Sequence, residues 1–402
     1  MKYLLIVDDY LPHSNKVAAK MMHELAVGLT RRGNYVNVLT PSPYQRDSLF
    51  IKQNNGIITL YFKTEKIKNT SKIKRAIRET TLSWVAWKAS KKYFKNNRFD
   101  AIVYYSPSIF WGYLVIKLRS LFKCKSYLIL RDIFPQWVVD NGIISKNSPA
   151  YWYFKFFEWV NYQSADKIGV MSPANLNYFK NTKKNASKFE VLFNWGEIPD
   201  IPFQQIKYRK KLNLEDKIVF FYGGNIGYAQ KIMYLVNLAK QFNDEPKVHF
   251  LFVGEGDEVD LILKEKEKHN MINVTYLPSV NQKTYLNMLN EFDIGLFSLH
   301  PDHKTHNFPG KLLGYMGCAK PVLGCVNQRN DLKEFVNKAN AGYVVNCGEH
   351  DALFKAAKFL IESESLRKEM GLNGRRLLMK QFSVESACSQ IEKAFYSDKM
   401  EF

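Results

Sequence analysis

Phe220-Phe221-Tyr222-Gly223-Gly224-Asn225-Ile226-Gly227 is an apolar run that ends in a cluster of glycines, and a helical pattern follows from about Gln230 to Phe242. A buried strand that passes through glycines into a helix is typical of parallel α/β sheets. The glycines let the backbone approach a ligand and leave amide N–H groups free for phosphate. A simple tight turn would explain the same glycines equally well. The segment has neither the GK[ST] ending of a P-loop nor the GxGxxG spacing of a dinucleotide fingerprint.

The same alternation of strand and helix extends in both directions from this segment. Short apolar runs are separated by longer segments of helical period, notably Val17 to Arg31 and Ile73 to Phe94. The predicted strands before residue 195 are Tyr3–Val7, Tyr35–Leu39, Ile57–Phe62, Ala101–Tyr105, Ser126–Leu130, Lys167–Met171 and Glu190–Phe193. The later ones are Ile218–Tyr222, Val248–Val253, Val274–Leu277, Ile294–Phe297 and Pro321–Gly324. This pattern predicts an α/β protein with two doubly wound, Rossmann-like domains facing across a cleft.

The predicted boundary between the domains lies near Trp195-Gly196-Glu197-Ile198-Pro199, and Pro202 extends a linker punctuated by proline. We assign residues 1–195 to an N-terminal domain, 196–380 to a C-terminal domain and 381–402 to a terminal helical segment. Ligands bind beyond the carboxyl ends of the strands in such sheets. The loops that follow strands are therefore the candidate sites.

Positive charge is concentrated in the first half of the chain. The 402 residues include 58 Lys or Arg and 38 Asp or Glu, which gives a net charge of +20. Residues 1–195 hold 31 Lys/Arg and 12 Asp/Glu, a net +19, whereas residues 196–402 hold 27 and 26. A basic half beside a neutral half favours contact with a nucleic acid or an anionic membrane over charge that serves solubility alone.

Residues 63–98 are the most basic part of that half, with twelve Lys/Arg and two Asp/Glu. Trp and aliphatic residues beside basic ones at helical spacing predict an amphipathic helix at a membrane interface. The residues expected there are Lys72, Lys74, Arg75, Arg78, Trp84, Trp87, Lys88, Lys91 and Lys92. The aromatic run 151–159 also suits the headgroup zone, although both segments fit the core faces of helices as well.

Cysteine spacing and hydropathy indicate the compartment in which the protein works and whether it spans a membrane. The five cysteines are odd in number and lack CxxC spacing, which disfavours a disulfide framework and a structural zinc site, and we predict no bound metal. The longest uncharged stretch, Ala101 to Ile116, is shorter than the ~20 residues that a bilayer span needs. We expect a cytoplasmic protein that is peripheral on the inner face of the membrane.

Two further segments carry candidate chemistry. Pro309 suits the first position of a helix, which leaves the Gly310 and Lys311 amides and the Lys311 ammonium free to meet an anion, unless this is only a capped helix with an exposed lysine. Arg131 and Asp132 follow a predicted strand. They would orient a hydroxyl nucleophile or bind a diphosphate, or else form a structural ion pair.

Taken together, these segments resemble the GT-B glycosyltransferases of the large retaining family 4 across essentially the whole chain. The matching pieces are Asp8-Asp9-Tyr10-Leu11-Pro12, residues 165–172, Leu192-Phe193-Asn194-Trp195, residues 222–227, Phe252-Val253-Gly254-Glu255-Gly256 and residues 315–322. Residues 17–26 and 303–311 are most similar to bacterial O-antigen and capsule transferases of the WbuB type, which add N-acetyl-L-fucosamine to a lipid-linked sugar.

The resemblance implies a site on each domain. It implies an acceptor site on the N-terminal, membrane-facing domain at Ser14, Asn15 and Lys16, and catalytic roles for Arg131, Asp132 and Lys231. On the C-terminal domain it implies a nucleotide-sugar site formed by Gly223, Gly224, Asn225, Gly227, Gln230, Lys231, Lys304, His306, Pro309, Gly310, Lys311 and Leu312. The last helix, about Ser386 to Tyr396, resembles the segment that crosses back to the first domain in this fold.

This sequence departs from the family at several of these positions. Ser14-Asn15 replace a glycine pair, and Asn225 and Gln230 stand where the family has Arg and Lys. His306 and Gly314 stand where it has two glutamates, and Arg131-Asp132 replace a histidine. Either Lys231, Lys304 and Lys311 supply the positive charge instead, or the enzyme is impaired.

The expected reaction moves a sugar from a nucleotide-diphospho-sugar, UDP-linked by resemblance, to a polyprenyl-diphosphate-linked acceptor in O-antigen or capsule biosynthesis. We expect no cofactor, since the nucleotide-sugar is a substrate. A GT-B epimerase of nucleotide-sugars would share the fold, although such a soluble enzyme has no need of the basic half. A nucleic-acid-binding protein would explain the charge but not the glycine segment or the Pro-Gly-Lys helix start, and we expect no nucleic acid as partner.

Overall fold

The computed structural model describes residues 1–14, 16–65, 72–106, 108–140, 142–182, 186–196, 207–302, 309–328 and 330–396. Within these ranges the side chains of residues 72–75, 137, 140 and 282 are not described. The predicted site residues Asn15, Lys304 and His306 therefore lie outside the described residues. The side chains of Lys72, Lys74 and Arg75 lie outside them too.

The chain divides into two compact units. The first comprises Met1–Asn194 and Val384–Phe402, and the second comprises Trp195–Ser383. Each unit is built on one mostly parallel sheet, so the predicted class of two parallel-sheet α/β domains is confirmed.

The first unit contains an eight-stranded sheet of order β3-β4-β2-β1-β5-β6-β7-β8, in which β3 alone pairs antiparallel to its neighbour. Its elements are β1 Lys2–Ile6, α1 Val17–Arg31, β2 Tyr35–Ser42, β3 Leu49–Asn54, β4 Ile57–Lys63, α2 Lys72–Asn96, β5 Ala101–Ser106, α3 Gly112–Phe122, β6 Lys125–Leu130, α4 Gln136–Asp140, α5 Pro149–Gln163, β7 Lys167–Val170, α6 Pro173–Thr182, β8 Phe189–Val191 and the terminal helix α15 Val384–Tyr396.

Alternate residues of β1 are buried on opposite faces of this sheet, because neighbouring side chains of a strand point to opposite sides. Leu4 and Ile6 share a core cluster with residues of α2 and α3. Tyr3 packs against Phe395 of α15 with ring centroids 5.8 Å apart. Helices therefore cover both faces, which explains why β1 reads as an unbroken apolar run.

The second unit contains a six-stranded parallel sheet of order β11-β10-β9-β12-β13-β14. Its elements are α7 Lys207–Lys211, β9 Ile218–Gly223, α8 Met233–Gln241, β10 Val248–Val253, α9 Val259–Lys268, β11 Val274–Leu277, α10 Gln282–Glu291, β12 Ile294–Ser298, α11 Gly310–Gly317, β13 Val322–Val326, α12 Asp331–Lys338, β14 Gly342–Asn346, α13 His350–Glu362 and α14 Glu364–Leu377.

Two strands were not predicted from the sequence. The edge strand β3 is largely exposed, and its apolar residues 49–51 are followed by polar ones without alternation. The strand β14 opens on Gly342 at φ +147 and contains only three apolar residues, 343–345. The helix predicted from Gln230 begins at Met233, because residues 228–230 form a separate 3-10 turn.

Helices α3 and α5 of the first unit cross at a point where their backbones touch. A Cβ atom on Gly112 would lie 2.8 Å from the Asn161 nitrogen and 2.9 Å from the Val160 carbonyl carbon. Only glycine fits at this crossing, so Gly112 fixes how closely α5 packs on α3.

We expect Gly112→Ala to lower the free energy of unfolding by about 1–3 kcal/mol, since an added methyl group must push two backbones apart. Urea unfolding measures the change. Gly310→Ala is the matched control, because a Cβ at position 310 would meet nothing within 4 Å. Equal stability of the two variants would show that the α3–α5 crossing has room for a side chain.

Candidate functional site

The glycine loop, residues 223–227, follows β9 at the carboxyl edge of the second sheet. Four of its five amides donate hydrogen bonds inside the unit: Gly223 to the Tyr315 hydroxyl, Gly224 to Val253 O, Ile226 to Glu255 O and Gly227 to Gln230 Oε1. The prediction that these amides are free for phosphate is wrong for those four. Within the described ranges, only the Asn225 amide of this loop has no hydrogen-bond acceptor.

The glycine loop lies directly on the loop that follows β10. A Cβ atom on Gly254 would lie 1.8 Å from the Gly224 carbonyl oxygen, a distance far too short for two non-bonded atoms. The glycines therefore serve close contact between two backbones, which fixes the shape of this edge of the sheet.

Two predicted donor-site residues, Asn225 and Gln230, bind each other. Asn225 Nδ2 donates to Gln230 Oε1 at 2.6 Å, and the Gln230 carbonyl accepts from Ser298 Oγ at 2.5 Å. Lys231 follows in the left-handed conformation at φ 45. The structure thus brings Gly223, Gly224, Asn225, Gly227, Gln230 and Lys231 together at one edge.

Helix α11 begins at Gly310, with Pro309 as its N-cap, and no described side chain caps its first turn. Leu312 donates its amide to Pro309 O and buries its side chain, so it offers no polar group to a ligand. The Gly310 and Lys311 amides have no acceptor within the described residues. Free first-turn amides and the positive end of the helix dipole favour an anion there.

Lys311 places its Nζ atom 3.6 Å from the centre of the Tyr222 ring, beneath the glycine loop. The side chain as a whole is half-buried, but its amine is fully buried and has no hydrogen-bond partner among the described residues. Burial lowers the pKa of the Lys311 amine to about 7. The alternative of a capped helix with an exposed lysine is therefore wrong; among the described residues this is a buried, unsatisfied amine, which native structures rarely keep without a role.

A pair of tyrosines, which the sequence did not single out, completes this edge. The Tyr315 hydroxyl accepts from the Gly223 amide and donates to Leu296 O at 3.0 Å. Tyr285 lies against Gly223 and also faces Gly314, where a Cβ would be 3.8 Å from its hydroxyl. The position at which the resemblance expects a glutamate therefore adjoins a tyrosine here.

Arg131 and Asp132 follow β6 at the carboxyl edge of the first sheet. The Arg131 guanidinium is buried and donates to the carbonyl oxygens of Leu130, Gly169 and Phe193 at 3.2–3.4 Å, and burial lowers its pKa to about 10. Asp132 is exposed, yet desolvation raises the pKa of its carboxyl group while Arg131 acts to lower it. Arg131 thus holds three chain segments together, and Asp132 is the group that faces outward.

The loop after β1 lies at the same edge. Asp8 accepts hydrogen bonds from Trp111 Nε1 at 2.8 Å and from the Ser108 amide at 3.2 Å. Of the predicted acceptor residues, Ser14 Oγ accepts from the Lys16 amide, and Lys16 pairs with Asp9 at 3.1 Å.

The predicted membrane residues fall into two groups. Trp84, Lys88, Lys91 and Lys92 are exposed on α2, with Lys88 Nζ 5.2 Å from the Trp84 ring centre. Trp87 is half-buried against the core beneath Lys117, and Arg78 pairs with Glu65. Trp87 therefore presents only part of its ring to the surface, unlike Trp84.

No helix in the described ranges combines the length and the apolar character that crossing a bilayer demands. Within the same ranges, no cluster of three or more His, Cys, Asp or Glu side chains is arranged to hold a metal ion.

Residues 204–377 match the family "Glycosyl transferases group 1". The matched residues lie within the second unit and cover most of it.

Relatives of known sequence bear names of the same kind. WbjE of Pseudomonas aeruginosa, named as a glycosyltransferase, is 23% identical over 237 residues, which cover 58% of each chain. WcaI of Escherichia coli K12, named as a colanic acid biosynthesis glycosyl transferase, is 23% identical over 300 residues, 69% of this chain and 72% of WcaI. The chain thus spans less than two thirds of the length of WbjE.

The crystal structure of Anabaena HepE in complex with UDP is similar over 99% of this chain and 100% of HepE, with a TM-score of 0.69 and 15% identity. At that identity the likeness concerns the fold, and the fold is GT-B.

The buried Lys311 amine predicts a pH-dependent stability. Its pKa of about 7 lies below the value of ~10.4 that the unfolded chain has, so the unfolded state binds more protons between those values. Stability should therefore rise with pH through this window. Between pH 7 and 9.5, we expect the free energy of unfolding of the wild type to rise by roughly 3 kcal/mol more than that of Lys311→Met.

Urea unfolding at both pH values measures this difference, and Lys283→Met, an exposed lysine of α10, is the control. A difference between wild type and Lys311→Met that stays constant with pH would contradict the buried neutral amine.

Proposed function

We propose that this chain is a glycosyltransferase that moves a sugar from a UDP-linked donor to a polyprenyl-diphosphate-linked acceptor, with retention at the anomeric carbon. The observation that carries the proposal is the Lys311 amine, which has no partner among the described residues and lies beside the first turn of α11 in the region that matches glycosyl transferases group 1. The UDP in complex with HepE, a protein of similar fold, supports the choice of nucleotide.

The donor diphosphate is proposed to lie at the start of α11, against the Gly310, Lys311 and Asn225 amides. Negative charge grows on the diphosphate as the bond from the anomeric carbon to its oxygen breaks. The Lys311 amine takes up a proton when the anion arrives and then stabilises the leaving group more strongly than the intact donor. No metal or cofactor takes part in the proposed reaction.

The acceptor hydroxyl is proposed to bind near Asp132, with Ser14 and Lys16 in the adjoining loop. Desolvation raises the pKa of the Asp132 carboxyl group, which makes its carboxylate a stronger base towards the acceptor hydroxyl. The acceptor oxygen bonds to the anomeric carbon, its proton passes to Asp132, and the electron pair of the broken bond leaves with UDP. Arg131 positions Asp132 through its hydrogen bonds to Leu130 and Phe193.

The acceptor is proposed to reside in the inner leaflet of the cytoplasmic membrane. The exposed Trp84, Lys88, Lys91 and Lys92 of α2 and the net charge of +19 on residues 1–195 support contact with anionic lipid. The transferred sugar is proposed to be N-acetyl-L-fucosamine in O-antigen or capsule assembly. Support comes from the WbuB-type sequence resemblance and from the similarity to WcaI, named as a colanic acid biosynthesis glycosyl transferase.

We expect UDP to raise the melting temperature in a thermal-shift panel of UDP, GDP, dTDP, CMP, NAD and a short RNA, since ligands that bind the folded state stabilise it. Lys311→Ala should weaken UDP binding at least tenfold, whereas Lys283→Ala should leave it unchanged. A response to RNA alone would replace the proposal with a polyanion-binding role, and an unchanged UDP affinity in Lys311→Ala would remove Lys311 from the donor site.

We expect Asp132→Asn to reduce sugar transfer at least a hundredfold without changing UDP affinity, because the amide cannot accept the acceptor proton. Radiolabelled transfer to a membrane extract measures turnover, and isothermal calorimetry measures UDP binding. The control is Asp47→Asn, an exposed carboxylate of the β2–β3 loop. Epimerisation of the free nucleotide-sugar by wild type, with no transfer, would favour the epimerase alternative.

A further inference from the structure

Helix α5 exposes three large aromatic side chains on one face. Trp152, Phe156 and Trp159 are 66%, 57% and 55% exposed, and their spacing of four and three residues places them on one side of the helix. The rings of Phe156 and Trp159 lie 6.3 Å apart. A contiguous aromatic surface of this kind marks an interaction site, and we name these three residues the aromatic face.

The opposite side of α5 is firmly packed. The backbone at Asn161 touches Gly112 of α3, and Glu158 is buried with Lys155 as its ion-pair partner. The helix therefore cannot roll to hide the aromatic face in the core of its own unit.

The inner aromatic residues of α5 contact the loops at the carboxyl edge of the first sheet. Phe154 meets Phe134, in the loop that carries Asp132, with ring centroids 4.8 Å apart. Phe157 meets Phe110, in the loop after β5, at 4.9 Å. The orientation of α5 is thus coupled by direct packing to the edge where the acceptor is proposed to bind.

Helix α2 carries a basic face, formed by the exposed Trp84, Lys88, Lys91 and Lys92, that adjoins the aromatic face. The hydroxyl groups of Thr80 on α2 and Tyr153 on α5 share a hydrogen bond. Trp84 is 55% exposed on α2, with Lys88 over its ring. Tryptophan beside lysine is the composition of membrane-interface anchors, and the positive charge complements anionic headgroups.

We propose that the aromatic face of α5 inserts into the headgroup zone of an anionic bilayer and thereby sets the height of the Asp132 loop above the membrane. The inference rests on the proposed function for the identity of what binds at that loop. The basic face of α2 attracts the chain to the anionic membrane surface. The aromatic face supplies the part of the binding that salt does not screen.

The experiment compares the full-length chain with Trp152→Ser/Phe156→Ser/Trp159→Ser in flotation with vesicles of equal parts phosphatidylglycerol and phosphatidylethanolamine, at low and high salt. We expect the triple variant to partition at least tenfold less at both salt concentrations. In the wild type, we expect tryptophan emission to shift to the blue on vesicle addition and to be quenched by brominated lipid. Tyr35→Ser/Ile272→Ser removes two exposed apolar side chains elsewhere and should bind like wild type.

A urea unfolding curve of the triple variant that matches the wild type shows that its first unit is folded, and absence of a UDP thermal shift in the wild type would count against the proposed function instead. Undiminished flotation of the folded triple variant overturns the inference. So does a wild-type dimer in lipid-free sedimentation that the triple variant abolishes, since the aromatic face would then cover a second copy of the chain.

Discussion

The contact between the Gly224 carbonyl and the backbone at Gly254 is the constraint on which the second unit's site depends. Two loops that follow neighbouring parallel strands meet here with no space for a side chain between them. The Gly224 and Ile226 amides donate hydrogen bonds to the carbonyl oxygens of Val253 and Glu255, and these bonds hold the glycine loop close to the sheet. This position leaves the space beneath the loop in which the Lys311 side chain lies over Tyr222.

Stability and binding are opposed at Lys311. Its buried amine has no hydrogen-bond partner among the described residues, which costs the folded state free energy, and burial lowers the pKa so that the neutral form is favoured. An anion at the open turn of α11 would reverse that balance, because the protonated amine would gain a partner of opposite charge. The unit thus keeps an unfavourable group in place where a diphosphate would make it favourable.

The sequence predicts the two parallel-sheet domains well, because strands buried on both faces appear as uninterrupted apolar runs. It misses β3, an exposed edge strand whose apolar residues do not alternate with polar ones, and β14, a short strand with an apolar run of only three residues. Site predictions were less accurate, since residue type does not reveal hydrogen-bond partners. The glycine-loop amides are mostly occupied, Arg131 faces carbonyl oxygens, and Tyr285 and Tyr315 gave no recognisable motif.

The second unit is continuous in sequence, whereas the first is assembled from both ends of the chain. The Gly196 amide donates to the Phe382 carbonyl at 3.0 Å, so the two points at which the chain passes into and out of the second unit are adjacent. A domain whose ends meet can be inserted into a host without separating the parts of that host. Exchange of residues 195–383 at these two junctions would therefore replace the whole second unit in a single step and leave both parts of the first unit in place.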